Sequence, residues 1–244
     1  AEAAYRQGDP AKAFALHSEL GKADNLDQQT REFLRRRLAV LDIEQQWAKG
    51  AWVELLPRQD NDPAWVMLYG QPRRLPDGSL EVESAPDGYL LYNLARLGTN
   101  FVAKVEYDVI RASRQQTQAG LIMGLPEYDG CDWHILQLKG NAPGDGSAYY
   151  GAGGAPLEIS RQVPLNPDHN VFTVKFRRGD VILSVNHRLI ANNAPPPVRL
   201  RILCDDFRLG LGATWNDSAD TNRTVIRYRH FLVRKLPLGV DWQS

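Results

Sequence analysis

The chain has 244 residues, 43% hydrophobic and 24% charged, with 29 basic side chains set against 29 acidic ones. That composition suits a globular chain able to bury a substantial core, and the cancelled charge excludes the whole-molecule field that gathers nucleic acid. No apolar run approaches the roughly 20 residues that cross a bilayer, so neither a nucleic-acid partner nor membrane insertion is expected.

The chain begins Ala1-Glu2-Ala3-Ala4, without methionine or a basic-then-apolar signal pattern, as expected of a segment cut from a longer protein. Residues 1–57 read as a helical segment. In Gly8-Asp9-Pro10 the glycine closes a short turn of helix, Asp9 can cap the next helix and Pro10 fits its first position. Ala13, Leu16 and Leu20 then recur at helical spacing up to Gly21. A longer helix follows with Asn25 as its expected cap. Leu26, Thr30, Phe33, Leu34, Leu38, Leu41 and Trp47 share a broad face, and Gly50 is the stop. The run Arg35-Arg36-Arg37 reads as a solvated helix face, because Asp42 and Glu44 follow closely. Tyr5 to Ala13 resembles the middle of a tetratricopeptide repeat, but no second copy occurs. The expectation is a helical hairpin against the next domain, offering a surface to a protein partner.

Residues 60–244 follow a different grammar: prolines and glycines separate short apolar or alternating runs. Trp65–Tyr69 leads through Pro76-Asp77-Gly78 into Leu80–Glu83, in the style of a hairpin. Gly88–Tyr92 follows. Phe101–Ile110 alternates, with Lys104, Glu106 and Asp108 on one face and Val105 and Tyr107 on the other. Strands are also expected at Ala119–Leu125, Trp133–Lys139, Val171–Phe176, Val181–Val185, Arg188–Ile190, Arg199–Cys204, Phe207–Ala213 and Val225–Leu236. About a dozen strands with no helix between them specify a mainly β, two-sheet sandwich. Cys131 and Cys204 allow at most one disulfide, and two buried thiols are the simpler expectation.

The tight turn at Asn186, the run Phe207-Arg208-Leu209-Gly210-Leu211-Gly212 and the last strand Val225–Leu236 resemble the closing third of concanavalin A-like jelly-roll domains. The likeness covers roughly residues 60 to 236. It is nearest to laminin G-like modules and to a bacterial domain-of-unknown-function group linked to 3-keto-disaccharide hydrolases. It implies a jelly-roll sandwich, a superfamily that hosts lectins, glucanases and adhesion modules alike, and with it an extracytoplasmic or cell-surface setting.

Candidate chemistry divides into two sets. A glucanase on such a fold aligns three carboxylates along one strand, so that alternation points them into one cleft. Glu106 and Asp108 supply two, and a third would have to come from Asp132 or Glu158. The second set is aromatic and polar. Sugar rings stack their apolar faces on Trp and Tyr while polar side chains take the hydroxyls. Trp133 and Gln137 on one strand, Tyr149 and Tyr150 in the glycine-rich stretch Gly140–Gly154, which reads as a long loop, and Trp215 would make a saccharide platform if they converge. Asp217 and Asp220 are the oxygen ligands for calcium, should it bind, although no dense acidic array accompanies them. No cofactor is otherwise expected. His17, His134, His169, His187 and His230 lack metal-site spacing, and neither a nucleophile elbow nor a phosphate loop occurs. Arg178-Gly179-Asp180 spells an integrin-recognition word that a hairpin turn also explains. The leading expectation is a non-catalytic module binding carbohydrate or a glycosylated surface. A divergent glycoside hydrolase using Glu106 and Asp108 is the first alternative, and a structural or protein-interaction module without a small ligand is the second.

Overall fold

The computed structural model describes residues 1–85, 88–111, 117–124, 134–140, 146–152, 157–177, 180–192, 208–214 and 223–237. Three helices come first: α1 (Glu2–Arg6), α2 (Pro10–Leu20) and α3 (Gln28–Ala48). Asp9 caps α2 by accepting the Lys12 amide at 2.9 Å, Pro10 takes the first position, and Gly8 turns the chain at φ +78°. Asp27, not Asn25, caps α3: its carboxylate accepts both the amide and the hydroxyl of Thr30 at 2.8 Å. The buried face also differs from the expected one. Ala13 and His17 are buried on α2 and pack with α1 and α3, whereas Leu16, Leu20 and Phe33 are exposed. Small side chains at Ala4 and Ala13 let three short-spaced helices close around Leu41, which larger leucines would not allow. Within the arginine run, Arg37 pairs with Glu2 at 3.0 Å and lies 3.9 Å over the Tyr5 ring, while Arg35 pairs with Glu32.

Fifteen strands follow among the described residues. The first eight are β1 (Val53–Glu54), β2 (Trp65–Tyr69), β3 (Gln71–Arg74), β4 (Leu80–Glu83), β5 (Gly88–Asn93), β6 (Asn100–Arg111), β7 (Thr117–Met123) and β8 (His134–Gly140). The rest are β9 (Gly146–Ala152), β10 (Leu157–Val163), β11 (His169–Arg177), β12 (Asp180–Val185), β13 (Arg188–Asn192), β14 (Leu209–Thr214) and β15 (Val225–Lys235). They form two antiparallel sheets. One runs β13-β12-β11-β6-β15-β4-β3, with β1 added to β15, and the other runs β10-β9-β8-β7-β14-β5-β2.

Alternation along each strand sends one set of side chains into the space between the sheets. Phe101, Val105, Tyr107, Phe172, Val174, Phe176, Tyr228 and Phe231 from the first sheet meet Tyr89, Leu91, Leu121, Leu136, Leu138 and Leu211 from the second. Val40, Ile43 and Trp47 of α3 belong to the same cluster, with Val53 and Leu55, so the long helix contributes directly to the sandwich core.

The hairpin expected at Pro76-Asp77-Gly78 exists, but its first strand is β3, not β2. Between them, at Gly70, the chain leaves one sheet for the other. Gly70 has φ +99°, and an added Cβ would stand 2.7 Å from the Tyr89 Cβ, so the crossing needs a residue without a side chain. Asn186 and His187 both adopt positive φ in the two-residue turn between β12 and β13. The strand expected at Arg199–Cys204, both cysteines, and the turn residues Arg178 and Gly179 lie outside the described residues.

Candidate functional site

The carboxylates Glu106 and Asp108 share the outer face of the first sheet, as alternation along β6 requires. Their neighbours are basic side chains on the same strand and on the two adjacent ones. Lys104 Nζ lies 2.5 Å from Glu106, and Asp108 accepts from Arg229 at 2.7 Å and from His169 Nδ1 at 3.0 Å. Partial burial works to raise both pKa values. For Glu106 the Lys104 contact with the charges of His230 and His169 outweighs it; for Asp108 the hydrogen bonds and charges of Arg229 and His169 do. Both carboxyls are therefore held below their ordinary range, as anions. Asp108 also belongs to a row that alternates in charge across five strands, His169, Asp108, Arg227, Glu81 and Arg73, with Glu81 bridging Arg227 at 3.2 Å and Arg73 at 2.6 Å. A general acid must hold a proton near its working pH, and anions fixed in ion pairs do not. The arrangement is that of a sheet-stabilising ladder.

The outer face of the second sheet is chemically different. Tyr92, Ile122 and Ile135 line up across β5, β7 and β8, with Gly210 of β14 between Tyr92 and Ile122. In the next row, Leu90, Gly212, Gly120, Gln137, Tyr149 and Glu158 share the same face. Leu90, Tyr92, Ile122 and Ile135 form a small apolar cluster of their own, and Gln137 beside them is only 2% exposed. Gln137 stands directly across from Tyr149, whose hydroxyl donates to Glu158 at 3.3 Å, and Lys139 Nζ lies 5.9 Å over the Tyr149 ring. On this face β8 presents Ile135, Gln137 and Lys139. Glu158 is the carboxylate this face offers among the described residues.

The expected saccharide platform is thus assembled in part. Gln137 and Tyr149 are adjacent. Tyr149 and Tyr150 lie on β9, not in a loop, because the flanking glycines are absorbed into strand pairing with β8. As neighbours on a strand they point to opposite faces, so Tyr150 is buried between the sheets and its hydroxyl pKa is driven up by desolvation. It faces away from the surface that Tyr149 presents. Glu158 lies on the second sheet and therefore cannot join Glu106 and Asp108 in one cleft. Trp133, Trp215, Asp132, Asp217 and Asp220 lie outside the described residues, and among the described residues no cluster of potential metal ligands occurs.

Sequence reading missed Arg208. It precedes β14, and its carbonyl accepts the Gly124 amide at 2.9 Å. That bond extends the ladder one residue beyond Leu209 and Met123 and puts Arg208 in phase with Gly210 and Gly212 on the outer face. The period-two pattern Arg208-Gly210-Gly212 was the available signal.

Comparison with solved structures bears on the architecture. A Bacillus subtilis protein of unknown function with a galectin-like fold is similar at 13% identity, over 76% of this chain and 98% of that one, with a TM-score of 0.50. The fold is the concanavalin A-like jelly roll. A pseudo β-1,3-glucanase and immunostimulatory antigen of Mycobacterium tuberculosis is similar at 11% identity over 77% of this chain and 98% of that one, with a TM-score of 0.51. A laminarinase from a Flavobacterium species gives 8% identity, coverage of 76% and 99%, and a TM-score of 0.51. At such identities the likeness is one of fold. No protein-family model and no curated protein sequence matches the chain. The finer likenesses, to laminin G-like modules and to a tetratricopeptide repeat, draw no support from these structures.

Proposed function

We propose that this chain is a non-catalytic binding module that takes a saccharide on the outer face of its second sheet. One observation carries the reading: Gln137 and Tyr149 stand side by side across β8 and β9, with Lys139 over the tyrosine ring, on a face that brings no two carboxylates together among the described residues. An aromatic ring beside an amide and an ammonium supplies what a sugar needs, an apolar plane for its C–H face and donors for its hydroxyls. Hydrolysis needs in addition two carboxyl groups flanking the glycosidic bond, about 5 Å apart when configuration is retained. The carboxylates that sequence pairs on one strand belong instead to the opposite sheet, where their ion pairs keep them deprotonated. The company of a laminarinase and a pseudo β-1,3-glucanase among similar folds supports a glycan as the ligand.

A glycan array, run with added calcium and again with a chelator, tests this, followed by calorimetry and a reducing-sugar assay on every hit. Binding without product is the expected result. Tyr149→Ala should weaken binding by roughly 2- to 13-fold, the effect of losing a ring contact of about 0.5–1.5 kcal/mol. Glu106→Gln should leave affinity unchanged. Released reducing sugar that Glu106→Gln abolishes would establish the hydrolase instead, and calcium dependence would assign Asp217 and Asp220 as the ligands to mutate next.

A further inference from the structure

We infer that the saccharide face contains a subsite for an acidic group, a carboxylate or a sulfate, with Arg208 as its counter-ion. The inference rests on the saccharide reading and adds the charge class of the ligand.

A guanidinium drawn partly out of water is stabilised by an opposite charge, and costs stability without one. This chain generally follows that rule. Arg37 pairs with Glu2, Arg58 with Asp42, Arg73 and Arg227 with Glu81, Arg111 with Glu83, and Arg229 with Asp108. Arg208 departs from it, as do Arg74 and Arg234 of the first sheet, but of the three only Arg208 belongs to the second sheet's outer face. The residue is partly buried, its Nε is shut off from solvent with no hydrogen-bond partner, and among the described residues no carboxylate pairs with it.

Among the described residues its strand neighbours supply no opposite charge. Extending the pairing of Gly210 with Tyr92 by two residues sets Leu94 beside Arg208 on β5's side. On β7's side stands Gly124, which has no side chain at all. An apolar residue and an open position flank the guanidinium on the very face that carries Tyr92, Ile122, Ile135 and Gln137. With no opposite charge beside it among the described residues, an acidic ligand is the counter-ion that this position suits. A planar guanidinium offers parallel N–H donors that match the two oxygens of a carboxylate or sulfate.

Lys139 makes the same point at the other end of the face. Its ammonium stacks over Tyr149 and has no carboxylate partner among the described residues. Lys139 is paired with Thr117, and Arg208 with Gly124, so at about 3.3 Å per residue the two cations stand roughly 20 Å apart along the strands. Two unpaired cations bracketing an apolar strip suit an acidic oligosaccharide laid along the face better than a single sugar.

The test is calorimetry on the whole chain with polygalacturonate and dextran sulfate as acidic probes and dextran as the neutral one, comparing wild type with Arg208→Gln and Arg208→Lys. Wild type should bind at least one acidic polymer, with affinity falling as sodium chloride is added, and which polymer binds distinguishes carboxylate from sulfate. Arg208→Gln should lower that affinity tenfold or more, and Arg208→Lys should retain part of it. Without ligand, the Arg208→Gln Tm should equal or exceed that of wild type, because no ion pair is lost. Array hits that are all neutral, bound alike by wild type and Arg208→Gln, would overturn this inference and leave the saccharide reading standing. Silence on the array and with all three polymers would overturn both. A Tm several degrees lower for Arg208→Gln would assign the arginine a structural role and overturn the subsite.

Discussion

Glu44 is buried where α1, α3 and the loop after β5 meet, accepting from the Tyr5 hydroxyl at 3.0 Å and from the Arg96 amide at 2.9 Å. Burial pushes its carboxyl pKa up, in spite of those two hydrogen bonds and the charges of Arg37 and Arg96. A carboxyl with a raised folded-state pKa binds its proton more tightly folded than unfolded. Its contribution to stability is therefore fully present below the ordinary carboxylate range and is lost as pH rises through the raised value. Glu44→Gln keeps an acceptor for both donors and removes the titration. Denaturant midpoints across that window should be flat where wild type declines, with the variant at least as stable near neutrality. Glu44→Ala, which orphans both donors, should cost about 1–3 kcal/mol at every pH. Asp108 and Glu106 behave oppositely: their depressed pKa values mean that what they contribute is lost as pH falls. At this scale the sequence was least informative. It identifies Glu44 and Arg208 as charged residues, but whether a charge is paired depends on neighbours far along the chain.

Elements were legible where one physical signal dominates. The alternation of Phe101 to Ile110 specifies a half-buried strand, and β6 is one, because period two leaves no other way to bury Val105 and Tyr107 while exposing Lys104. The Gly-Asp-Pro turn was equally plain. Hydrophobic spacing misled on α2, since small residues and His17 pack against α3 while the leucines stay outside; helix closeness outweighed side-chain apolarity. Glycine density misled at β9, where strand pairing on both sides overrides loop composition. Nothing local reveals that β2 and β3 belong to different sheets, because a sheet crossing is a matter of topology. Gly70→Ala tests the crossing. Positive φ and the contact with Tyr89 act together, so the substitution should destabilise by about 1–3 kcal/mol, whereas Gly50→Ala, at positive φ with open space around its Cβ, should cost less. Comparable losses at both sites, read from chemical denaturation, would show that packing at Tyr89 is immaterial.

For the molecule as a whole, the sharp change of grammar near residue 57 suggests two units, yet the core does not divide there. Val40, Ile43 and Trp47 pack in one cluster with Val53, Leu55, Ala95, Leu97 and Phe231. Calorimetry should therefore show one unfolding transition, with helical and β signals lost together. Trp47→Ala should destabilise the whole by about 3–5 kcal/mol, the cost of emptying a large buried site. Two separate transitions, or a Trp47→Ala effect confined to the helical signal, would contradict a shared core. The ligand face, by contrast, was legible only in outline: the residue types suited to sugar were visible, but which of them share a face followed from strand order.

That strand order also governs the birth of the protein. β15 is the last strand among the described residues, and it lies in the interior of its sheet, between β6 and β4, with β1 paired to it as well. A ribosome delivers residues 225–235 only after β1 to β14 have emerged, so until then β6 and β4 lack the partner that β15 supplies. The first sheet assembles late and from its middle. A nascent chain stalled before Val225 would be left with two open borders rather than a slightly shortened sandwich, a form that invites pairing with another copy until the eleven residues of β15 arrive.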